Sequence, residues 1–352
     1  MAEFPKFEYL KAKGDNLEIG RIVGKAFGDQ IVSVIEYMRS FYLKEFNLSF
    51  DQAFKLAESR LSFVKKELPQ FVEELQGMAQ GIGISFNDLF LLNSDEFLYE
   101  QKFASKGCTD VFLKTDGLLV GHTEDWLADF GNRMFILEAD VSNKFDSLSF
   151  IALTYFGRLP GYSANLNSHG FASTSNGVHA FDFKPGVPKA FVNRYVLESG
   201  SMKEAVRKAG SLSRASGGTL NLVQGTEFAS LELSANQFEL LKYSQDRGVH
   251  TNHFISSAMN SLGTQSENSI KRLERANQML NMVKQPPESF LHSILADHEN
   301  APHSICSHSA DLIAKQKKSA TLGAVMIDPS KKRFSVLTGS PCRGKFIDYY
   351  LK

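Results

Sequence analysis

Two polar stretches, Lys106-Gly107-Cys108-Thr109-Asp110 and Gly121-His122-Thr123-Glu124-Asp125-Trp126, bracket two apolar runs, Val111–Leu113 and Leu118–Val120. Lys114, Thr115, Asp116 and Gly117 separate the runs. Asp-Gly between apolar runs is a strong hairpin signal, because the central residues of the turn must accept positive φ. A hairpin of this length returns Gly121–Trp126 to the side of Cys108. One end of a strand pair then holds a thiol, an imidazole and two carboxylates. Few segments this apolar carry so many titratable groups, and the rest of the chain has to fold so as to bury them.

The sequence on either side has two textures. Residues 6–105 read mainly as helices. Ile31, Val34, Ile35, Met38, Phe41 and Tyr42 recur at helical spacing. Ser49 with Gln52 forms a capping box, and Pro69 suits the first turn of a helix that stops at Gly81 and Gly83. Ser85 with Asp88 opens a further helix carrying Leu89, Leu92 and Phe97. From Cys108 to about Asn176 the chain alternates like a sheet, with strands over 134–141, 148–156 and 163–175. Helices begin at Val187-Pro188 and at Ser201, where Glu204 completes the cap. Strands return over 219–224, 230–234 and 238–243. A basic helix covers about 266–283, and a last hairpin pairs 320–327 with 333–337. Helices, sheet, helices, sheet, helix, sheet is an order that two face-to-face antiparallel sheets with helices outside would bury.

Composition narrows the function classes. The chain has 352 residues, 43% hydrophobic and 22% charged, with zero formal net charge. That supports a large core, and no basic stripe suggests a nucleic-acid partner. No apolar run approaches the roughly 20 residues of a spanning helix, so no membrane association is expected. Cys108, Cys306 and Cys342 are an odd, sparse set that suits free thiols in a reducing compartment. The N-terminal residues lack a signal-peptide layout, and a cytoplasmic location is expected.

A cysteine in mid-chain can act on its own backbone. Its sulfur attacks the preceding carbonyl, the acyl group shifts from nitrogen to sulfur, and water then releases a new N-terminus. Gly107 assists because it leaves the carbonyl open and tolerates a strained backbone. The freed α-amine has an ordinary pKa of about 7.7–8.0, so it can take the thiol's proton itself. The plain alternative is that Cys108 is a small buried hydrophobe. In His250-Thr251-Asn252-His253 the two histidines have no third ligand at a metal-site spacing. The Asn252 amide can instead donate to an oxyanion, or simply form a turn. Ser173-Thr174-Ser175-Asn176-Gly177 is a polar strand end with the same two readings. Ser304-Ile305-Cys306-Ser307-His308 places a second Cys near a His and reads as structural. Neither a metal nor an organic cofactor is expected.

An ordered set of motifs then points to a family. Gly107-Cys108-Thr109, Gly121-x-x-x-Asp125-aromatic, Asn176, Gly186-Val187-Pro188 with Leu197-Glu198-Ser199, His250-Thr251-Asn252-His253, Ser304-Ile305-Cys306 and Ala320-Thr321-Leu322 together resemble the acyl-coenzyme A:6-aminopenicillanic acid acyltransferase family of self-cleaving N-terminal-nucleophile enzymes. The resemblance runs from about residue 16 to residue 340. It implies a four-layer αββα fold with two stacked antiparallel sheets. It also implies cleavage between Gly107 and Cys108 into a mainly helical α chain, 1–107, and a β chain, 108–352, that stay together as a heterodimer within one domain. By position, Cys108 is the expected nucleophile and Asp125 the carboxylate that orients the new amine. Asn252 is the expected oxyanion donor, with Asn176 adding a donor by backbone or side chain. His122 occupies a slot held by Arg in the choloylglycine hydrolases and by Gln in the penicillin acyltransferase. His122, Glu124 and His308 are expected pocket residues, with a catalytic part equally open for His122. Many relatives carry Arg directly after Ser-Ile-Cys, whereas this chain has Ser307 and then His308, which argues against a fixed positive charge at that position and leaves substrate identity open.

The expected activity is hydrolysis of a small N-acylated amine through a thioester on Cys108. An acyl-CoA-dependent N-acyltransferase would share that intermediate. A binding protein that retained the fold without the activity is the remaining alternative.

Overall fold

A computed structural model describes residues 6–99, 107–114, 117–142, 147–243, 245–282, 288–308 and 319–352. The N-terminal part contains strand β1 (Glu8–Gly14) and helices α1 (Asn16–Ala26), α2 (Gly28–Phe46), α3 (Phe50–Glu67), α4 (Pro69–Ile82), α5 (Phe86–Leu92) and α6 (Glu96–Tyr99). The hairpin strands are β2 (Thr109–Lys114) and β3 (Leu118–Leu127). Strands β4 (Met134–Ser142), β5 (Ser147–Tyr155), β6 (Ala164–Asn167) and β7 (Phe171–Asn176) follow, then helices α7 (Lys189–Leu197) and α8 (Met202–Ser211). Strands β8 (Gly218–Gln224), β9 (Glu227–Leu233), β10 (Phe238–Lys242) and β11 (Arg247–His250) precede helices α9 (Glu267–Met282) and α10 (Glu288–Leu295). The chain closes with β12 (Ser319–Asp328), β13 (Arg333–Thr338) and β14 (Ile347–Tyr350).

The strands form two sheets. One runs β1-β4-β5-β6-β7-β8-β9-β10 and the other β11-β2-β3-β12-β13-β14. Every pair is antiparallel except β1 with β4. Alternation along β2 explains the layering. Phe112 points to the other sheet, where its ring centroid lies 5.0 Å from that of Phe228. Val111 and Leu113 point outward and pack with Ala276 and Leu280 of α9 and Leu291, Ile294 and Leu295 of α10. Helices α1, α7 and α8 pack on the eight-stranded sheet. The result is the expected four-layer αββα sandwich.

Local readings hold where a cap or a turn sets them. Ser49 and Gln52 make the reciprocal capping box, Pro69 opens α4, and Ser201 accepts from the Glu204 amide. The hairpin pairs Thr109 with Thr123 and Asp110 with His122; its turn residues Thr115 and Asp116 lie outside the described residues. Gly83 caps α4 at φ +83°, but Gly81 is not a stop. A Cβ on Gly81 would meet the Arg21 carbonyl oxygen at 2.5 Å, and one on Gly77 would meet the Leu17 carbonyl at 1.9 Å. Gly20 and Gly24 stand in the same relation to Glu74 and Met78. Two Gly-x-x-x-Gly faces therefore let α1 and α4 pack backbone to backbone. The helix expected after Ser85 breaks at Asn93–Asp95 into α5 and α6. There Asn93 bonds the Leu89 and Gly157 carbonyls and the Leu159 amide.

Candidate active site

Cys108 lies one residue before β2, buried, on the side of the hairpin that faces the other sheet. Antiparallel register sets Asp110 opposite His122 on β3 and opposite His250 on β11. The three side chains therefore form a row across adjacent strands. Asp110 is wholly buried and fully bonded. It accepts from His122 Nδ1 at 3.0 Å, from the Asn176 amide at 2.6 Å and from the Thr174 hydroxyl. Asn176 in turn accepts from Asn221 Nδ2 at 2.7 Å. His250 completes the seam through Glu232 at 3.1 Å, and Glu232 also accepts from the Ile255 amide and the Ser256 hydroxyl. A buried polar network satisfied in this way holds its members in one geometry.

The sulfur of Cys108, a ring nitrogen of His122 and a carboxylate oxygen of Glu124 lie within 4.8 Å of one another. His122 Nε2 is 3.2 Å from Glu124 Oε2, and Tyr155 donates to Glu124 Oε1 at 2.7 Å. Burial alone would keep His122 neutral, but the Asp110 carboxylate and Cys108 beside it outweigh that and raise its pKa well above the ordinary value. Burial and the nearby Glu124 charge push the Cys108 thiol up to about 11, with His122 pulling the other way.

On the other side of Cys108 stands Arg272, which in sequence is one cation among several on a basic helix. It is 1% exposed. Its guanidinium donates at 2.8 Å to the Cys108 carbonyl, at 2.8 Å to Thr109 Oγ1 and at 2.7 Å to Asn252 Oδ1. Here is the fixed positive charge that Ser307 does not supply. The readable signal was position: Ser269, Arg272, Ala276 and Leu280 are the buried stripe of α9, and an Arg on such a stripe needs acceptors. By holding Oδ1, Arg272 orients the Asn252 amide. Asn252 Nδ2 donates one hydrogen to the Gly177 carbonyl at 3.0 Å. The same group lies beside Gly107, where a Cβ would come within 2.3 Å of Nδ2.

Asp125 is 3% exposed, and its Oδ1 is a buried acceptor with no hydrogen-bond partner. Burial raises its pKa to about 6, against the opposing pull of Arg272 and a hydrogen bond from Thr321. The register of β12 slips between Thr321 and Gly323, opposite Asp125 and Glu124. Such bulges re-aim side chains next to sites, and here both carboxylates line one cavity.

That cavity, of about 110 Å³, is floored by Gly107, Cys108, Asp125 and Asn252 and walled by Trp126, Phe130, Tyr155 and Tyr162, with Glu96, Glu124, Arg158 and Lys189 as its charged groups. The structure thus brings Gly107, Cys108, Glu124, Asp125 and Asn252 together at one surface, with His122 directly behind the thiol. Three expected residues are not on the cavity wall: His122, which lies behind the thiol, Asn176 and His308. Asn176 is not on the cavity wall, and its side-chain donor is taken by Asp110; its neighbours Ser175 and Gly177 line the cavity instead. His308 is not a pocket residue. It faces Cys306, Cys342 and His298, because the loop following α10 carries it to another part of the surface. His250 and His253 do not converge. His253 bonds Ser269 at 2.7 Å, and burial with the nearby His250 and Arg272 charges lowers its pKa to about 4.

The fold and site define a sandwich protein with a cysteine thiol at the floor of a cavity between its sheets. The chain belongs to the acyl-coenzyme A:6-aminopenicillanic acid acyl-transferase family, whose model matches residues 112–343. It is 25% identical over 345 residues to the acyl-coenzyme A:6-aminopenicillanic-acid-acyltransferase 40 kDa form of Emericella nidulans, covering 95% of this chain and 93% of that one. It is 30% identical over 217 residues to the beta-alanyl-dopamine/carcinine hydrolase of Drosophila melanogaster. That match spans little more than half of either protein, 56% of each. Among solved structures, a variant of conjugated bile acid hydrolase from Clostridium perfringens superposes with a TM-score of 0.46 at 11% identity, over 70% of this chain and 97% of that one. No helix among the described residues is long and apolar enough to cross a membrane.

Proposed function

We propose that this chain is the precursor of an N-terminal-cysteine amide hydrolase that activates itself by cutting the Gly107–Cys108 bond. The observation that carries the reading is the unpartnered Oδ1 of Asp125, buried in the cavity that Cys108 floors. A buried acceptor left without a donor costs about 1–3 kcal/mol. An α-ammonium created on Cys108 would supply the missing donor and the opposite charge together.

In self-cleavage, Cys108 Sγ attacks the Gly107 carbonyl carbon as the thiol proton leaves. The C–N bond breaks, the nitrogen takes up a proton, and a thioester joins Gly107 to Sγ. Water then hydrolyses the thioester, leaving a carboxylate on Gly107 and a free amine on Cys108. The second hydrogen of Asn252 Nδ2 serves the oxyanion at this step. The chain divides into fragments 1–107 and 108–352, which stay associated because strands and helices from both bury one core.

In turnover, the Cys108 amine takes the thiol proton, and Sγ attacks the substrate's amide carbonyl. Asn252 and the backbone around Ser175–Gly177 hold the oxyanion. The amine delivers its proton to the leaving group, and water attacks the thioester to release the acid. Asp125 and Arg272 act through Cys108 and Asn252 as positioning residues. The aromatic wall of Trp126, Phe130, Tyr155 and Tyr162 suits a small N-acylated amine with an apolar or aromatic part, in keeping with the substrates for which the Drosophila relative is named. The Emericella relative, which aligns over nearly the whole chain, favours a second reading in which an amine rather than water accepts the acyl group.

The test is incubation of purified wild-type protein with a panel of small N-acyl amines, followed by quenching and mass analysis of the 108–352 fragment. The expected result is amine release with the acyl mass on Cys108, and neither in Cys108→Ala. Acyl mass on Cys108 that clears only when a second amine is added selects the transferase. Amine release by the Cys108→Ala protein overturns both.

A further inference from the structure

Four residues that the catalytic reading does not use converge in a second cluster of metal-ligating side chains. His298 follows α10, Cys306 and His308 lie on the loop before β12, and Cys342 follows β13. Their ligand atoms lie within 4.8 Å of one another. His308 Nε2 is 3.0 Å from His298 Nε2, 3.8 Å from Cys306 Sγ and 3.5 Å from Cys342 Sγ. A tetrahedron built on Zn–S of about 2.3 Å and Zn–N of about 2.0–2.1 Å has edges of about 3.3–3.8 Å. The three separations lie on or close to that range.

We propose that His298, Cys306, His308 and Cys342 form a tetrahedral zinc site. Two thiolates with two imidazoles are a donor set that selects zinc. Each thiol gives up its proton to solvent on binding, so the two thiolates balance the dication and the site is neutral. The donors are aimed for this use. Ser340 Oγ lies 3.3 Å from His308 Nδ1. A partner at Nδ1 turns Nε2 toward the metal and fixes the ring, as is usual for metal-binding histidines. Cys306 is buried while His298 and Cys342 are exposed, so the ion has a route in from solvent to a preformed corner.

Four protein ligands close the coordination shell, which makes the site structural. What it would hold is specific. The Ser307 amide donates to Thr321 Oγ1 at 2.9 Å, and the Thr321 amide returns a bond to the Ser307 carbonyl at 3.0 Å. Thr321 also bonds Asp125. The metal would therefore clamp the loop that fixes Thr321, and through it the Asp125 carboxyl. This links a surface site to the catalytic cavity through two residues.

The test uses the full chain, purified under a thiol reductant without chelator, saturated with zinc and then dialysed against metal-free buffer. Metal content is read by mass spectrometry. About one zinc per chain is expected in wild type and in Cys108→Ala, which removes the only other three-donor cluster found among the described residues. Cys342→Ser and His298→Ala change exposed side chains and should lose the metal while remaining folded by circular dichroism. Cobalt loaded in place of zinc should show a thiolate charge-transfer band and intense tetrahedral d–d absorption in wild type, absent from Cys342→Ser. Should His298→Ala unfold, Cys342→Ser and the cobalt spectrum decide. Zinc that survives Cys342→Ser, zinc lost only with Cys108→Ala, or wild type that retains none overturns the proposal. So does recovery of a Cys306–Cys342 disulfide from protein purified under reductant.

Discussion

In the proposed precursor the Asp125 carboxyl is buried with no amine yet to pair with it, and that has a measurable consequence for stability. Consider Cys108→Ala, which cannot cut itself, with and without Asp125→Asn. Burial raises the Asp125 carboxyl from 3.8 to about 6, and each unit corresponds to about 1.4 kcal/mol. Between those two values the native chain holds a proton that the unfolded chain has released. Stability conferred by the neutral carboxyl is therefore full below the unfolded pKa and is lost as pH rises toward about 6. Relative to Asp125→Asn, which does not titrate, the Asp125 chain should lose about 2.4 kcal/mol between about pH 4 and about pH 7. The Thr321 hydrogen bond and the Arg272 charge are already contained in the net shift, and the pH-independent cost of the substitution drops out because only the pH dependence of the difference is read. Urea denaturation of both chains across that range supplies the measurement. Parallel stability curves would refute the reasoning, since they would mean that no uncompensated carboxylate is buried there.

Further outcomes follow from single contacts. Arg272→Met leaves the Cys108 carbonyl, Thr109 Oγ1 and Asn252 Oδ1 without their shared donor; each buried acceptor left unsatisfied costs about 1–3 kcal/mol, which urea denaturation will read. Asn252→Ala in the cleaved enzyme should lower kcat by about 10²–10³-fold with little change in KM, as expected for loss of an oxyanion donor. Gly107→Val places a Cβ 2.3 Å from Asn252 Nδ2, so the carbonyl must shift away from the amide, and a time course on gels should show the chain persisting uncut.

Legibility in the sequence followed the range of the forces involved. Hairpin, caps and the α9 helix were readable because each is specified within a few residues. Strand β1 was not, since Glu8–Gly14 alternates Tyr9, Lys11 and Lys13 along a sheet edge and carries too few apolar residues to stand out. The elements α10, of eight residues, and β14, of four, were missed because they are too short for a period to stand out. Gly81 looked like a stop because nothing local reveals that α1 passes against it. At the site, the motif residues Cys108, Asp125 and Asn252 were legible, while Arg272 lies 164 residues from Cys108 and becomes meaningful only once α9 packs on β2. Asn176 carries the amide that its motif suggested, but the partner that takes it, Asp110, comes from the opposite sheet. His308 was placed in the pocket by its nearness to Ser-Ile-Cys in sequence; the fold gives it to Cys342 instead.

Intact mass of the protein after expression, wild type beside Cys108→Ala, bears most directly on the claim that Cys108 is freed from the middle of the chain. The expected wild type is two associated fragments, with the second beginning at Cys108, and the expected Cys108→Ala is one chain of 352 residues. A wild type that turns over amides while still uncut, or a second fragment that begins at any other residue, would contradict it.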